Sequence, residues 1–255
     1  MSGDGTVGKA CDVLEQVAAF KRPARFNEIL EASPYPKATL YRLMQTLTNQ
    51  EMLHYDPDAQ TYSMGLRLVR MAHAAWGQSS LAPIAAPILD ELAAEAGETI
   101  HLAQMENGQV LFVDKRRASV LFETLAQTGR VAPAHSTGVG KAILAFMTPD
   151  RLERALRQQA FVKYTPNTHE NVESLMAELK QIREDGVAFD REEHEQGIIS
   201  IAAPILLESG KVVGAVSIAS TTNRNSPETL QAFKPILLDA TARIGEQATP
   251  WQFPT

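Results

Sequence analysis

The 255-residue chain has a single cysteine, Cys11, so an internal disulfide framework is excluded and a reducing cytoplasm is the expected setting. It has no run of 18 apolar residues, so no membrane span is expected. Met1 to Thr6 contains no basic region followed by an apolar core, so no signal peptide is expected. Positive charge is not in excess either: 24 Lys+Arg stand against 30 Asp+Glu, a net charge of −6. Catalytic signatures are equally scarce. No Gly-x-Ser-x-Gly is present. Around Gly140-Lys141, a phosphate loop would need Gly and Ser/Thr where His135 and Ala142 stand. His194 has no second His at metal-ligand spacing, so no metal is assigned. No catalytic residue and no cofactor is expected.

What is present is a globular composition, 44% hydrophobic and 21% charged, long enough for two domains with separate cores. The charge is unevenly shared. Residues 1–80 hold 8 Lys+Arg and 8 Asp+Glu, net zero, and the remainder holds 16 and 22, net −6. A neutral DNA-binding domain still presents local donors, but paired copies are then expected for tight binding.

The most informative stretch is Tyr35-Pro36-Lys37-Ala38-Thr39-Leu40-Tyr41-Arg42-Leu43-Met44-Gln45-Thr46-Leu47. Pro36 suits a first helical position, and Leu40, Leu43, Met44 and Leu47 recur at helical spacing. At about 100° per residue, Ala38, Tyr41, Arg42, Gln45 and Asn49 fall on the opposite side, which carries no acid. Arg forks onto guanine, Gln onto adenine, and Tyr and Thr reach phosphate. Alone, this stretch reads equally as an amphipathic core helix. Its neighbours decide. Phe26, Ile29 and Leu30 mark a short helix ending at Ala32-Ser33-Pro34, and two short helices across a tight turn form a helix-turn-helix. Downstream, Leu53-His54-Tyr55 and Thr61-Tyr62-Ser63-Met64 flank Asp56-Pro57-Asp58-Ala59-Gln60 as a hairpin. The three elements together predict a winged helix whose second helix reads DNA.

A helix over Thr6–Phe20 precedes them, with Val7, Ala10, Cys11, Leu14, Val17 and Ala18 inward. Cys11 is therefore expected as a small core residue, not a reactive thiol. Lys21-Arg22-Pro23-Ala24-Arg25 reads as a basic loop, solvated or touching phosphate. Leu66 to Trp76 reads as a linker helix, and Gly77-Gln78-Ser79-Ser80 as a break. The expected domains are 1–65, a winged helix, 66–80, a linker, and 81–255.

In the last region a helix over Leu81–Ala96 is followed by period-two strands, Thr99–Met105 and Gln109–Asp114, around Asn107-Gly108, a strong hairpin signal. Val120–Leu125 is a candidate third strand. Helices are expected at Ser136–Met147, Pro149–Leu156 and Val172–Glu184, strands at Val187–Asp190, Ile198–Leu207 and Val212–Ser220, and one closing helix at Pro227–Gly245. The fold class is α+β, and such sheets often carry a small-molecule pocket. Ser136-Thr137-Gly138-Val139-Gly140-Lys141 is a Gly-rich entry into a helix whose free amides suit a carboxylate, or a plain tight turn. Asp190, Glu192 and Glu193 form either an acid–base pair or a solvated acidic turn, the reading favoured for Glu192 and Glu193.

With these residues in view, the chain resembles the isocitrate-lyase-regulator (IclR) family of bacterial transcription factors from about Thr6 to Ala248. The likeness rests on Tyr35–Leu43, on Tyr62-Ser63-Met64-Gly65, on Gly97-Glu98-Thr99-Ile100-His101-Leu102, on Ala134–Ala142 and on Asp190–Gly197. The resemblance implies a winged helix-turn-helix joined by a linker helix to a GAF-like effector-binding domain. It implies a dimer, or a dimer of dimers, on double-stranded palindromic operator DNA, acting as a repressor or activator. Its effector would be a small organic acid or aromatic catabolite. Lys37, Ala38, Thr39, Tyr41, Arg42 and Gln45 would form the DNA-contacting set. Gly138 and Val139 would supply amides to the effector, and Asp190 would fix a polar group or a water on it. Ser200 and Ser217, which alone read as ordinary exposed strand serines, would contact it, with Leu121 and Thr124 lining the apolar side. Many relatives have Cys in place of Ser200 and Ser in place of Ala219, which makes this pocket less polar. Two other readings stand beside this one: a small-molecule enzyme using the winged helix only to dimerise, and a regulator that no longer binds a ligand.

Overall fold

In the computed structural model, residues 5–117 and 124–249 are described. The chain forms two compact units, Met1–Gln78 and Ser79–Thr255.

The first unit runs α1 (Gly5–Ala19), β1 (Ala24–Arg25), α2 (Phe26–Ala32), α3 (Lys37–Asn49), β2 (Leu53–Asp56), β3 (Thr61–Met64) and α4 (Leu66–Ser79). Leu40, Leu43, Met44 and Leu47 of α3 are buried against Val13 and Val17 of α1, Ile29 of α2 and Leu53 of β2. β2 and β3 form the expected hairpin, with Tyr55 opposite Tyr62. Its turn is fixed by the Asp56 carboxylate, which accepts from the amides of Asp58 and Ala59 at 2.9 and 3.1 Å. After β3 the backbone passes so close to α3's end that a Cβ on Gly65 would lie 2.0 Å from the Glu51 carbonyl oxygen. That approach explains the glycine.

Four expectations for this unit need correcting. Pro36 is the N-cap of α3, with ψ 147°, and Lys37 is the first helical residue. Extended ψ is what a cap needs, and Pro's fixed φ of −58° is compatible with it. The basic loop is partly a strand: Ala24 and Arg25 pair with Tyr62 and Thr61, making the wing three-stranded. Cys11 is exposed, as are Val7 and Ala18, because the inward stripe of α1 is centred on Val13 and Val17. Finally, α4 runs through Gly77 to Ser79 without the expected break.

The second unit continues with α5 (Ala82–Ala96), β4 (Thr99–Glu106), β5 (Gln109–Arg116), β6 (Val131–Pro133), α6 (Gly138–Ala145), α7 (Pro149–Arg157), α8 (Val172–Asp185), β7 (Ala188–Arg191), β8 (Ile198–Leu206), β9 (Val212–Thr221), α9 (Pro227–Leu230) and α10 (Lys234–Ala248). The strands form one antiparallel sheet in the order β6-β5-β4-β9-β8-β7. The β4–β5 hairpin turns at Asn107 and Gly108, with φ of 48° and 73°, which suits Asn-Gly.

Register sorts the sheet by size. Ile100, Ile218, Ile201 and Phe189 lie side by side across four strands, on the face packed by α5 and α10. The next rungs read Thr99, Ala219, Ser200, Asp190 and then His101, Ser217, Ala202, Ala188, on the face covered by α6. Directly opposed residues of antiparallel strands share a face. Bulky aliphatics therefore fill one side, and small or polar groups line the other.

The expected C-terminal helix is split into α9 and α10 by a tight turn at Gln231–Phe233. Pro235, lacking an N–H, cannot donate back to Gln231, so an unbroken α-helix is unavailable there. The candidate strand Val120–Leu125 lies largely outside the described residues, and Thr124 and Leu125 are in no strand.

Candidate functional site

On α3, Lys37, Ala38, Tyr41, Arg42 and Gln45 are exposed and Thr39 is half-buried. The buried stripe and this face are separated as the helical period requires. Tyr41 leans edge-on against Phe26 of α2, ring centres 6.0 Å apart, which fixes its ring while its hydroxyl end stays in water. Neither Lys37 nor Arg42 has an ion-pair partner among the described residues. Arg22, in contrast, is engaged by Glu28 at 2.6 Å. The face has donors, no acid between Glu31 and Glu51, and a rigid seat.

In the second unit, one cavity of about 40 Å³ lies between α6 and the small-residue side of the sheet. That is room for about three waters. Its floor is the two rungs already described: Asp190, Ser200 and Ala219, then His101 and Ser217. Thr137, Gly138 and Val139 at the start of α6 form one wall, with Phe112, Thr124, Ala126, His194, Glu195 and Ile198 completing the enclosure. Of the expected effector residues, Thr124, Gly138, Val139, Asp190, Ser200 and Ser217 meet at this cavity. Leu121 lies outside the described residues. Ser200 and Ser217 are buried, not exposed.

Thr137 caps α6, its hydroxyl accepting from the Gly140 amide at 3.2 Å. The amides of Gly138 and Val139, the first two of the helix, have no partner among the described residues, and both residues line the cavity. Gly138 is required for the close approach of α6 to the sheet. A Cβ there would sit 2.9 Å from Ser200 Oγ and 3.4 Å from the Asp190 amide.

Lys141 of α6 centres an ionic cluster with α8 and the turn after β7. Lys141 is wholly buried, and its ammonium donates to both oxygens of Glu193 and both of Glu178. His169 and Arg191 add to Glu178 at 2.5 and 3.1 Å. Although burial pushes Glu178 up, the hydrogen bond from His169 and the charge of Lys141 hold it at about 2. Glu193 therefore corrects the solvated-turn reading: it is 3% exposed and paired. His169, Glu178 and Glu193 lie close together; the Lys141 ammonium is shared by the two carboxylates, and His169 bonds Glu178.

The turn after β7 carries Asp190, Glu193, His194 and Glu195 into place. Its successive carbonyls at Arg191, Glu192 and Glu193 accept from Asn167, Thr165 and Thr168 at 2.8, 2.6 and 2.6 Å. Asp190 accepts from the Glu193 amide at 2.8 Å. Burial, and then the charge of Glu193, raise Asp190 to about 7, against the pull of Lys141 and two backbone amides. Burial and the positive charge of Lys115 hold His101 down at about 3, so it is neutral. It lies 3.4 Å from both Ser217 Oγ and Thr124 Oγ1. Burial and His135 lower His194 as well. Among the described residues, no Lys or Arg lines the cavity.

Sequence reasoning did not single out His101, Phe112, Ala126, Thr137, Glu195 or Ile198 for the cavity, and it considered His194 only as a metal ligand. Period two on β4 puts His101 on the same face as Thr99, but which face meets α6 depends on long-range register.

A winged helix in one unit and an α+β sheet with a donor-lined cavity in the other define a two-domain DNA-binding regulator. The family model described as the IclR helix-turn-helix domain matches residues 6–57. The model described as the bacterial transcriptional regulator IclR C-terminal domain matches residues 73–246. The chain belongs to the IclR family of bacterial transcriptional regulators, with a DNA-binding helix-turn-helix domain and a C-terminal effector domain. It is 28% identical to the HTH-type transcriptional regulator XynR of Escherichia coli K12 over 92% of this chain and 93% of that protein. It is also 28% identical to KdgR of the same organism, over 94% and 91%. The crystal structure of Thermotoga maritima IclR superimposes with a TM-score of 0.79 at 26% identity, covering 96% of this chain and 98% of that one.

Proposed function

We propose that this regulator reads a palindromic operator with Lys37, Ala38, Thr39, Tyr41, Arg42 and Gln45, and that a small organic acid or aromatic catabolite bound in the α6 cavity adjusts that reading. Turnover of the effector is no part of this reading. The observation that carries it is the pair of amides, Gly138 and Val139, without a partner among the described residues, at a cavity whose lining also offers hydroxyls, a neutral imidazole and the carboxyls of Asp190 and Glu195. A carboxylate seats on such amides because the helix start concentrates N–H donors and positive dipole. Thr124, Ser200 and Ser217 then orient the rest of the molecule, and Asp190 holds a polar group on it. The charge-neutral first 80 residues support action as a dimer, or a dimer of dimers, since one such head binds weakly. The single exposed cysteine and the lack, among described residues, of a helix long and apolar enough to cross a membrane accord with a cytoplasmic setting.

Effector and operator must change each other's affinity by one factor. The test is a gel-shift titration at stated salt on the intergenic DNA upstream of the gene, with wild type beside Arg42→Ala, repeated with an organic-acid panel. Loss of the discrete shift in a folded Arg42→Ala protein supports the DNA-reading assignment. Operator affinity that no acid changes, although one binds, would sink the effector mechanism.

A further inference from the structure

Resting on that organic-acid reading, we infer that Asp190 is the specificity-determining residue of the cavity and that it meets the effector as a neutral acid, sharing one proton between its own carboxyl and the effector's. The wall explains why. Asp190 and Glu195 both line it, and among the described residues no Lys or Arg does. The cation nearest the floor from α6, Lys141, is held by Glu193 and Glu178. Lys115 of β5 pairs opposite His101 on the same face of the sheet; it is not among the lining residues, and its ammonium is bonded to Thr124 and to the Ala126 carbonyl at 3.2 and 3.1 Å. His101 of β4 is neutral, and His194, on the same turn as Asp190, has its charged form disfavoured by burial.

A second carboxylate entering beside an ionised Asp190 would leave two like charges in one small enclosure with no Lys or Arg among the described lining residues. Two carboxylates sharing a site resolve this by holding one proton between them. That proton comes from solvent, and it converts Asp190 from an acceptor-only group to one O–H donor. The group is prepared for the change: its burial and then the charge of Glu193 already disfavour its ionised form. Its amide contact from Glu193 survives, because a protonated carboxyl keeps acceptor capacity. The selected class is therefore small monocarboxylic acids, taken up together with a proton. A bulky dianion would need a second proton or a cation.

The experiment is carboxyl carbon NMR of the full chain with ¹³C-labelled aspartate, wild type and Asp190→Asn, titrated with acetate, benzoate, acetamide and benzamide between about pH 6 and pH 8. One resonance missing from Asp190→Asn should titrate near neutral in wild type, and acetate or benzoate should perturb it. The acid's affinity for wild type should fall about tenfold per pH unit above that titration. In Asp190→Asn, whose amide donates at every pH, the affinity should be independent of pH. A merely structural Asp190 would not give this difference in pH profile. Acid affinity that is flat with pH in wild type, or an Asp190 already ionised below about pH 5, overturns the inference while leaving the effector reading in place. If neither acid perturbs the resonance at any pH, the organic-acid reading itself fails, and this inference with it.

Discussion

The buried ammonium of Lys141 donates to both carboxylate oxygens of Glu193, at 2.5 and 2.7 Å. The pair joins α6 to the turn that presents Asp190. Removing one partner of a buried pair leaves an uncompensated charge, typically about 3–5 kcal/mol. Lys141→Met should therefore lower the unfolding midpoint of the C-terminal unit strongly in urea or heat. Adding Glu193→Gln should recover part of the loss, and a strictly additive double mutant would refute the coupling.

Asp190 sets the sign of a pH effect on stability. Its folded-state value, about 7, lies above the ordinary carboxylate value. Between those values the folded chain holds a proton that the unfolded chain has lost. Stability from this group is thus complete below about pH 4 and is lost as pH rises through about 7. Asp190→Asn should raise the melting temperature at about pH 8, by about 2–4 °C for each kcal/mol relieved, and the gain should vanish toward about pH 4. A gain that grows on acidification would contradict the assignment.

Much of this is legible in the sequence. The winged helix announced itself because its signals are local: a helical apolar stripe, a Pro/Asp turn and two β-prone runs within thirty-odd residues. Asp190, Ser200, Ser217 and Gly138 were reached through resemblance, since alone each also fits a bland reading. What stayed hidden depends on distant partners. Cys11 and Val7 sit on an apolar-looking helix face, yet packing chose the face of Val13 and Val17. Glu193 looked solvated because its partner, Lys141, is 52 residues away. His101 entered the cavity through strand pairing with Ser217, 116 residues on.

Gly138→Ala should keep the fold but close the cavity. Its new methyl would stand 2.9 Å from Ser200 Oγ, a side chain able to turn away, and inside the effector's space. The expected outcome is loss of effector-induced change in a thermal-shift assay with operator binding retained. Gly140→Ala should act differently. A Cβ there meets the Ala134 backbone at 2.4–2.5 Å, which cannot turn away, so destabilisation should appear with or without effector.

On α3, base-reading and phosphate-holding roles separate by salt. Arg42→Ala should cost about 1–3 kcal/mol on the operator and little on random DNA if it forks onto a base. Lys37→Gln, at the exposed start of the helix, should weaken both alike and reduce the slope of log affinity against log salt by about one per head. Equal slopes for wild type and Lys37→Gln would remove Lys37 from the phosphate contacts. Leu40→Ala, at a wholly buried position, is the control for lost packing, expected to cost about 2–5 kcal/mol of stability.

The rungs Thr99, Ala219, Ser200, Asp190 and His101, Ser217, Ala202, Ala188 have one more consequence. Their positions are held by main-chain ladder bonds, and their side chains are mostly one or two heavy atoms long. Exchanges among Gly, Ala, Ser and Cys at Ala219, Ser200, Ser217 or Ala202 alter the shape and wetness of the chamber without disturbing strand pairing. The chemistry of the chamber can therefore be changed by single-atom edits while the strand ladder that frames it stays the same.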